Sequence, residues 1–455
     1  MTMTTWLNVT AVTKANIFVS VGSWYRETHK IMCKDLNTIL CPIILFWDGT
    51  SLDFKSRNVL YPLNFSLGIF STATRRLKEA WKVLSLFPSF LNEVDKKDTK
   101  ISAQNFHIIL RAAVKSLVEL QNGPGLKWNF MHNCNEVEVT LKFPLAFING
   151  DTEGHNRIAA KRPQSTHLCR VCKVKTEDSS DQNLSSELLL QKELKDWMKR
   201  GEHWKVEALA FHAVKNGLRG VNFGVSKQGL HSALAGEVLH MIHYGLSPYA
   251  IKGFISFIRC NTESTKNMIV GEVLNCLHHA LSDITQKLKH QSERDLPKYC
   301  LSLKFLEQPT LNAFESPAAL LSMLIMLVSD VGRRQLLIKK RLCAARYCRF
   351  IHLFEMLLAI SELFKMDVMT ISEMNIFRKQ AKLFVAFFKD TVQRTEGKGY
   401  NFIKLHLMLH VHMFMSMFGS MANFDSGPGE SYHKQVIKTA ARRTVKNSRD
   451  LNKQT

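Results

Sequence analysis

No stretch of this chain is apolar for long enough to cross a bilayer cleanly. The two richest windows are Ala318 to Val328, which is too short, and Leu405 to Phe418, which carries three histidines directly after Lys404. Both read as buried helices. The N-terminus lacks a basic start followed by a clean apolar run, so no secretory signal peptide is expected. Cysteine is present but not clustered: 10 are scattered through 455 residues, which excludes a small disulfide scaffold and points to reduced thiols. No internal repeat is found, and no zinc finger or helix-turn-helix module is evident at either end. Acid is the scarce charge, with 39 Asp and Glu against 61 Lys and Arg and a formal net charge of +22. That imbalance favours a polyanionic partner, because a basic surface gains affinity by releasing counterions from phosphates. Charge alone does not separate nucleic acid from an acidic membrane surface; no membrane partner is expected.

What is there is a large core. A 45% hydrophobic composition over this length suffices for two or three domains. Between Cys41 and Phe70 the pattern predicts three strands. "PIILFW" is continuous and apolar, as a strand covered on both faces would be, and "NVLYPLNF" and "FSLGIF" follow turn-forming residues. "TATRRLKEAWKVLSLF" predicts a helix, capped by Thr72 or Thr74 and stopped before Pro88. A second helix is predicted in "AQNFHIILRAAVKSLVELQ", where Ile109, Ala113, Leu117 and Leu120 share a face, and Asn122 to Gly125 end it. "EVEVTLKFPLAFING" returns to strand character and runs up to Gly150 and Asp151. The expected divisions are an N-terminal extension over 1–40, the first part of an α/β core over 41–153 and a polar, cysteine-containing insert over 154–203. A helical region over 204–420 with few proline or strand signals follows, then a final helix and basic tail over 421–455.

Two apolar strands thus end in an acid, Asp48 and Asp151, and a late helix carries a third, Glu430. Each alone reads as a turn-capping residue. Together they suit two-metal phosphoryl chemistry, in which carboxylates from separate elements hold two divalent ions about 4 Å apart. The gap before Glu430 is too long for a bare core and requires a helical insertion.

Four blocks occur in order: "CPIILFWDGTSLD…YPLNFSLGIF", "FINGDTEGHNRIAAK…CRVC", "GEVLHMIHYGL" and "KLHLMLH…FG…GPGESYHK". Together, from about Cys41 to Arg443, they resemble the Plavaka and KDZ group of eukaryotic cut-and-paste transposases. The resemblance implies an α/β, RNase-H-like core interrupted by a large, mostly α-helical insertion. It also implies an Asp-Asp-Glu triad of Asp48, Asp151 and Glu430 holding two Mg²⁺ or Mn²⁺ ions. DNA (transposon ends and target) would be the substrate, the nucleus the compartment, and a homo-oligomer is allowed. Cleavage and strand transfer are the expected reactions; an inactive, DNA-binding descendant and a helical interaction protein are the alternatives.

Around this triad several residues invite roles. Cys169 and Cys172 have the C-x-x-C spacing of half a zinc site, with partners to come from His155, His167, His240 or Cys134, against the alternative of two ordinary thiols. His240 is the ligand carried forward. Glu237 and His240 sit where related transposases carry an acid/Cys-x-x-His motif, although Ala235 and Gly236 depart from the family's usual "PPELLH"-type context. On a helix this pair shares a face. His433 repeats the geometry beside Glu430 and could orient it. His406 and His410, four apart, are either a metal pair or packed core histidines. Lys434, Lys438, Arg442 and Lys446 form a basic stripe suited to a phosphate backbone, and Arg333, Arg334, Lys339, Lys340 and Arg341 form a second cluster.

Overall fold

Two five-residue runs, Ile43–Trp47 and Leu145–Asn149, are buried at every position. In the computed structural model they are the centre and one side of the main sheet. The structure describes residues 22–51, 59–87, 99–132, 135–163, 165–260, 275, 278–280, 282, 283, 286, 315–339, 342–367, 369–394, 399–437 and 439. Its strands are β1 (Thr38–Leu40), β2 (Ile43–Trp47), β3 (Thr50–Ser51), β4 (Val59–Leu67), β5 (Lys82–Phe87), β6 (Leu126–His132), β7 (Asn135–Lys142) and β8 (Leu145–Asn149). The main sheet runs β5–β4–β2–β8. β4 is antiparallel to both β2 and β5, whereas β8 lies parallel to β2, with Phe46 opposite Asn149. β3 continues along β4 beyond a break at Asp48 and Gly49. A smaller sheet, β1–β7–β6, stands beside it.

Alternation along β2 sorts its side chains to opposite faces. Ile44 and Phe46 enter one core with Leu40, Trp81, Phe147 and the aromatic residues of the long helices. Ile43, Leu45 and Trp47 enter a second core with Phe87, Phe106, Leu110 and Ile158. The sheet is therefore a middle layer. Helices Thr99–Ala113, Lys115–Asn122 and Thr152–Ala159 supply the second core. Helices Ser23–Met32, Ala344–Lys365, Ile371–Thr391 and Val411–Phe418 supply the first, with Phe147 meeting Phe418 at 5.6 Å and Phe424 at 4.7 Å. Within the stretch expected to be an extension, Trp24 is buried and its indole N–H donates to the Phe223 carbonyl at 2.8 Å.

Three local expectations are corrected. Val59 to Leu67, drawn from both "NVLYPLNF" and "FSLGIF", lie on one strand, β4, which a turn at Gly68 and Ile69 follows. The helix predicted over Thr72 to Phe87 is only a turn at Thr72–Arg75 and a 3₁₀ turn at Lys78–Ala80, after which the chain becomes β5. Tertiary pairing overrides propensity there: Trp81 is buried, its indole N–H donates to the Arg75 carbonyl at 2.7 Å, and the residues after it pair with β4. The second predicted helix is two, broken at Val114, and β6 was not anticipated at all.

Among the described residues no single helix is long and apolar enough to cross a membrane. Ser316–Val328 and Asp330–Ile338, bent by 67°, pass that test together by length and composition. Ala319, Leu320, Met323, Met326 and Leu327 of this pair are buried in the same core as Phe254, Tyr347 and Phe350.

Candidate functional site

Asp48 follows β2 directly and Asp151 lies two residues beyond β8, so parallel neighbours deliver both acids to the same sheet edge. Gly150 makes the approach close: a Cβ there would stand 2.4 Å from the Trp47 carbonyl oxygen. Asp151 caps the Thr152–Ala159 helix, its Oδ1 accepting from the Gly154 amide at 2.5 Å. Asp48 Oδ1 accepts from the Gly49 amide at 2.7 Å. Burial and the charge of Asp151 push the Asp48 carboxyl up to about 7, against the opposing influence of His240 and Gly49.

Glu430 arrives on the Gly427–Tyr432 helix, which crosses the same strand end. A Cβ on Gly429 would come within 2.5 Å of the Phe46 ring, and His433 packs edge-on against that ring at 4.9 Å. Burial again raises Glu430 to about 7; His240 opposes this, and the charges of Asp48, Glu237 and Asp425 add to it.

His240 stands among these acids. Its Nδ1 is 2.5 Å from Glu237 Oε1 and its Nε2 is 3.6 Å from Glu430 Oε1. Burial disfavours the imidazolium, but Glu237, Glu430 and Asp151 outweigh it and hold His240 up to about 9. Glu237 is itself buried; burial alone would raise it, yet His240 and two backbone amides, those of Leu239 and His240, keep it below the usual carboxylate range. His240 lies in the first turn of a π-helix, Leu239–Leu246, which Glu237 precedes, a winding that recurs at functional sites. His240 is therefore engaged with the acids, which corrects its expected place beside the cysteine pair.

Cys169 and Cys172 meet His406 and His410 instead. The four donor atoms all lie within 4.8 Å of one another. Cys172 Sγ is 3.3 Å from His406 Nε2, Cys169 Sγ is 3.7 Å from His410 Nε2, and the two Nε2 atoms are 3.0 Å apart. A tetrahedral zinc with Zn–S of about 2.3 Å and Zn–N of about 2.0–2.1 Å separates its donors by about 3.3–3.8 Å, so the set fits. His406 Nδ1 is bonded to the Ser179 carbonyl at 2.8 Å, which turns Nε2 toward the cluster. Burial pushes the Cys169 thiol up, but Cys172, His406 and His410 outweigh it and leave it well below the ordinary thiol value. The other expected partners lie elsewhere: His155 is bonded to Ile148 and Arg170, His167 forms a backbone bridge with Lys175, and Cys134 falls outside the described residues.

The basic features are only partly in view. Lys434 is exposed, in a π-helical turn His433–Ile437 that interrupts the α-helical spacing of the predicted stripe. Lys438, Arg442 and Lys446 lie outside the described residues, as do Lys340 and Arg341, while Arg333 and Arg334 are exposed. Two residues near the acids escaped sequence reasoning. Lys404, whose ammonium burial disfavours, feels the charges of Asp151 and Glu237 and donates to the Tyr244 carbonyl at 3.0 Å. Arg170 is fully buried between the two cysteines. Both stand inside quoted blocks, Arg170 within "CRVC" and Lys404 at the head of "KLHLMLH", but only their neighbours in space single them out.

A family model described as Plavaka transposase matches residues 18–252, a span holding Asp48, Asp151, the cysteine pair and Glu237 with His240. No curated protein matches the chain.

Proposed function

The chain belongs to the Plavaka transposase family, and from that premise we propose that Asp48, Asp151 and Glu430 catalyse DNA strand cleavage and strand transfer. The observation that carries this reading is the convergence of the two strand ends with the Gly427–Tyr432 helix, bridged through His240. The order β5–β4–β2–β8, with three antiparallel strands and β8 parallel beside the first, supports an RNase-H-like core.

The donor set suits hard divalent cations, Mg²⁺ or Mn²⁺: two of the three carboxylates resist ionisation, chiefly because they are buried and further because neighbouring acids add their charge, Asp151 for Asp48 and Asp48 for Glu430. Bound there, such ions would polarise the scissile phosphate and prepare the attacking oxygen. The chain's own residues do the rest. Asp151 is fixed by its cap, Asp48 by the Gly49 amide, and Glu430 by the imidazolium of His240, which Glu237 in turn holds. Lys404 offers an ammonium to a phosphate oxygen arriving beside Asp151. Water attacks the phosphodiester first, and the freed 3′-hydroxyl attacks target DNA second. A chromosomal DNA substrate would put this work in the nucleus. The Cys169, Cys172, His406 and His410 set fits a structural zinc by donor softness and spacing.

The test is nicking of plasmid DNA in Mg²⁺ or Mn²⁺. Asp48→Ala or Asp151→Ala is expected to lower the rate at least about 100-fold; nicking that persists unaltered ends the proposal. Salt-sensitive duplex binding without any metal-dependent nicking would identify an inactive DNA-binding descendant instead.

A further inference from the structure

Arg170 separates the two cysteines and is 1% exposed. A buried guanidinium is costly unless its donors are satisfied, and it has five. Its Nε donates to the Leu234 carbonyl at 3.2 Å and its Nη2 donates to His155 Nδ1 at 2.9 Å, while Nη1 has no hydrogen-bond partner among the described residues. The backbone is held as well: the Arg170 carbonyl is bonded to His231 Nδ1 at 2.9 Å.

Arginine only donates, so His155 Nδ1 accepts, and the ring proton sits on Nε2. That proton is donated to the Ile148 carbonyl at 2.9 Å. Burial and the Arg170 charge hold His155 well below its ordinary value, consistent with a neutral ring. Ile148 lies near the end of β8, and the His155 amide donates to the Asp151 carbonyl at 3.0 Å. His155 thus ties the strand end to the helix turn that Asp151 caps. Arg170 ties His155 to the C-x-x-C loop, and the charge of Asp151 reaches the guanidinium.

We propose that Arg170 is a positioning residue that couples the Cys169–Cys172–His406–His410 cluster to Asp151 through His155, so that metal in the cluster raises the divalent-cation affinity of the acid site. The inference rests on the two-metal reading of those acids. Outer partners that orient ligands typically change metal affinity about 10- to 100-fold, and a coupling free energy acts equally in both directions. Cations at the acid site therefore tighten zinc in the cluster by the same factor.

Mn²⁺ binding to the full chain, read by electron paramagnetic resonance, tests this without an activity assay. Only the binding lost in Asp48→Asn is counted as the acid site. Zinc loading of the wild-type chain is expected to tighten that binding about 10-fold. Arg170→Met is expected to weaken it similarly and to make it indifferent to zinc, with Arg170→Lys in between. A folded Arg170→Met chain with wild-type affinity and wild-type zinc response overturns the proposal. So does a wild-type chain whose Asp48-dependent Mn²⁺ affinity is the same with and without zinc, a comparison needing no change at Arg170. Absence of any Mn²⁺ binding that depends on Asp48 overturns the two-metal reading, and this inference with it, and is recognisable because the wild-type and Asp48→Asn chains then bind alike with Arg170 intact.

Discussion

Opposed acids in a sheltered pocket are costly to ionise, and Asp48 with Glu430 meets that cost in the metal-free fold. Asp48 rises from 3.8 to about 7, so its contribution to stability is full below pH 3.8 and is lost as pH rises through 7. Asp48→Asn cannot ionise. It is expected to stabilise the metal-free protein at pH 8 by about 1–2 kcal/mol, the full shift being discounted for partial solvent access, and to add nothing below pH 4. Thermal melts at the two pH values check this; an equal effect at both would refute it. His240 and Glu237 behave oppositely. The His240 contribution is full below 6.5 and lost as pH rises through about 9, while that of Glu237 is present above 4.5 and lost as pH falls below it. The pair therefore contributes most between 4.5 and 6.5. His240→Ala leaves a buried carboxylate unpaired and is expected to cost about 3 kcal/mol at pH 6, shrinking toward pH 9.5; chemical denaturation across that range measures it.

Single elements carry the next set of constraints. The Gly427–Tyr432 helix lies so near β2 that Gly429→Ala must displace it or the Phe46 ring. Overpacking of this kind costs about 1–3 kcal/mol, and it moves Glu430 without altering its carboxylate. Nicking is expected to fall at least about tenfold while the chain remains folded, with kcat bearing the loss, since misplacement by about 1 Å suffices. The helix Ile403–Leu407 borders two sites: Lys404 feels the charges of Asp151 and Glu237, and His406 meets the cysteines. Removing metal from that cluster, or making Cys172→Ser, is expected to lower the melting temperature by about 5–10 °C, as differential scanning calorimetry would show. β2 and β8 were legible because an unbroken apolar run signals a strand covered on both faces. β5 was not, because helix-favouring residues before it hid a segment whose structure comes from pairing with β4.

Across the whole molecule, the excess of base over acid sets how DNA would be held. At a formal +22, duplex affinity is expected to fall about 10³-fold between 50 and 200 mM salt if some six phosphates are contacted. Fluorescence anisotropy against salt concentration gives the slope, and a flat response would exclude the backbone as the main contact. The sheet has helices on both faces, and the acids at its end are half-buried rather than enclosed in either core.

The sequence alone determined which strands end in an acid and that two cysteines have the spacing of half a metal site, because continuous apolarity and C-x-x-C spacing are local properties. It could not choose the other half. His406 and His410 lie 234 and 241 positions from the cysteines they meet, and several histidines were equally eligible along the chain. Only the packing of distant helices onto one sheet edge settled that His240 faces carboxylates while the other two face sulfur. Which donors share a site depends on where long-range burial places them, and spacing along a chain holds no record of that.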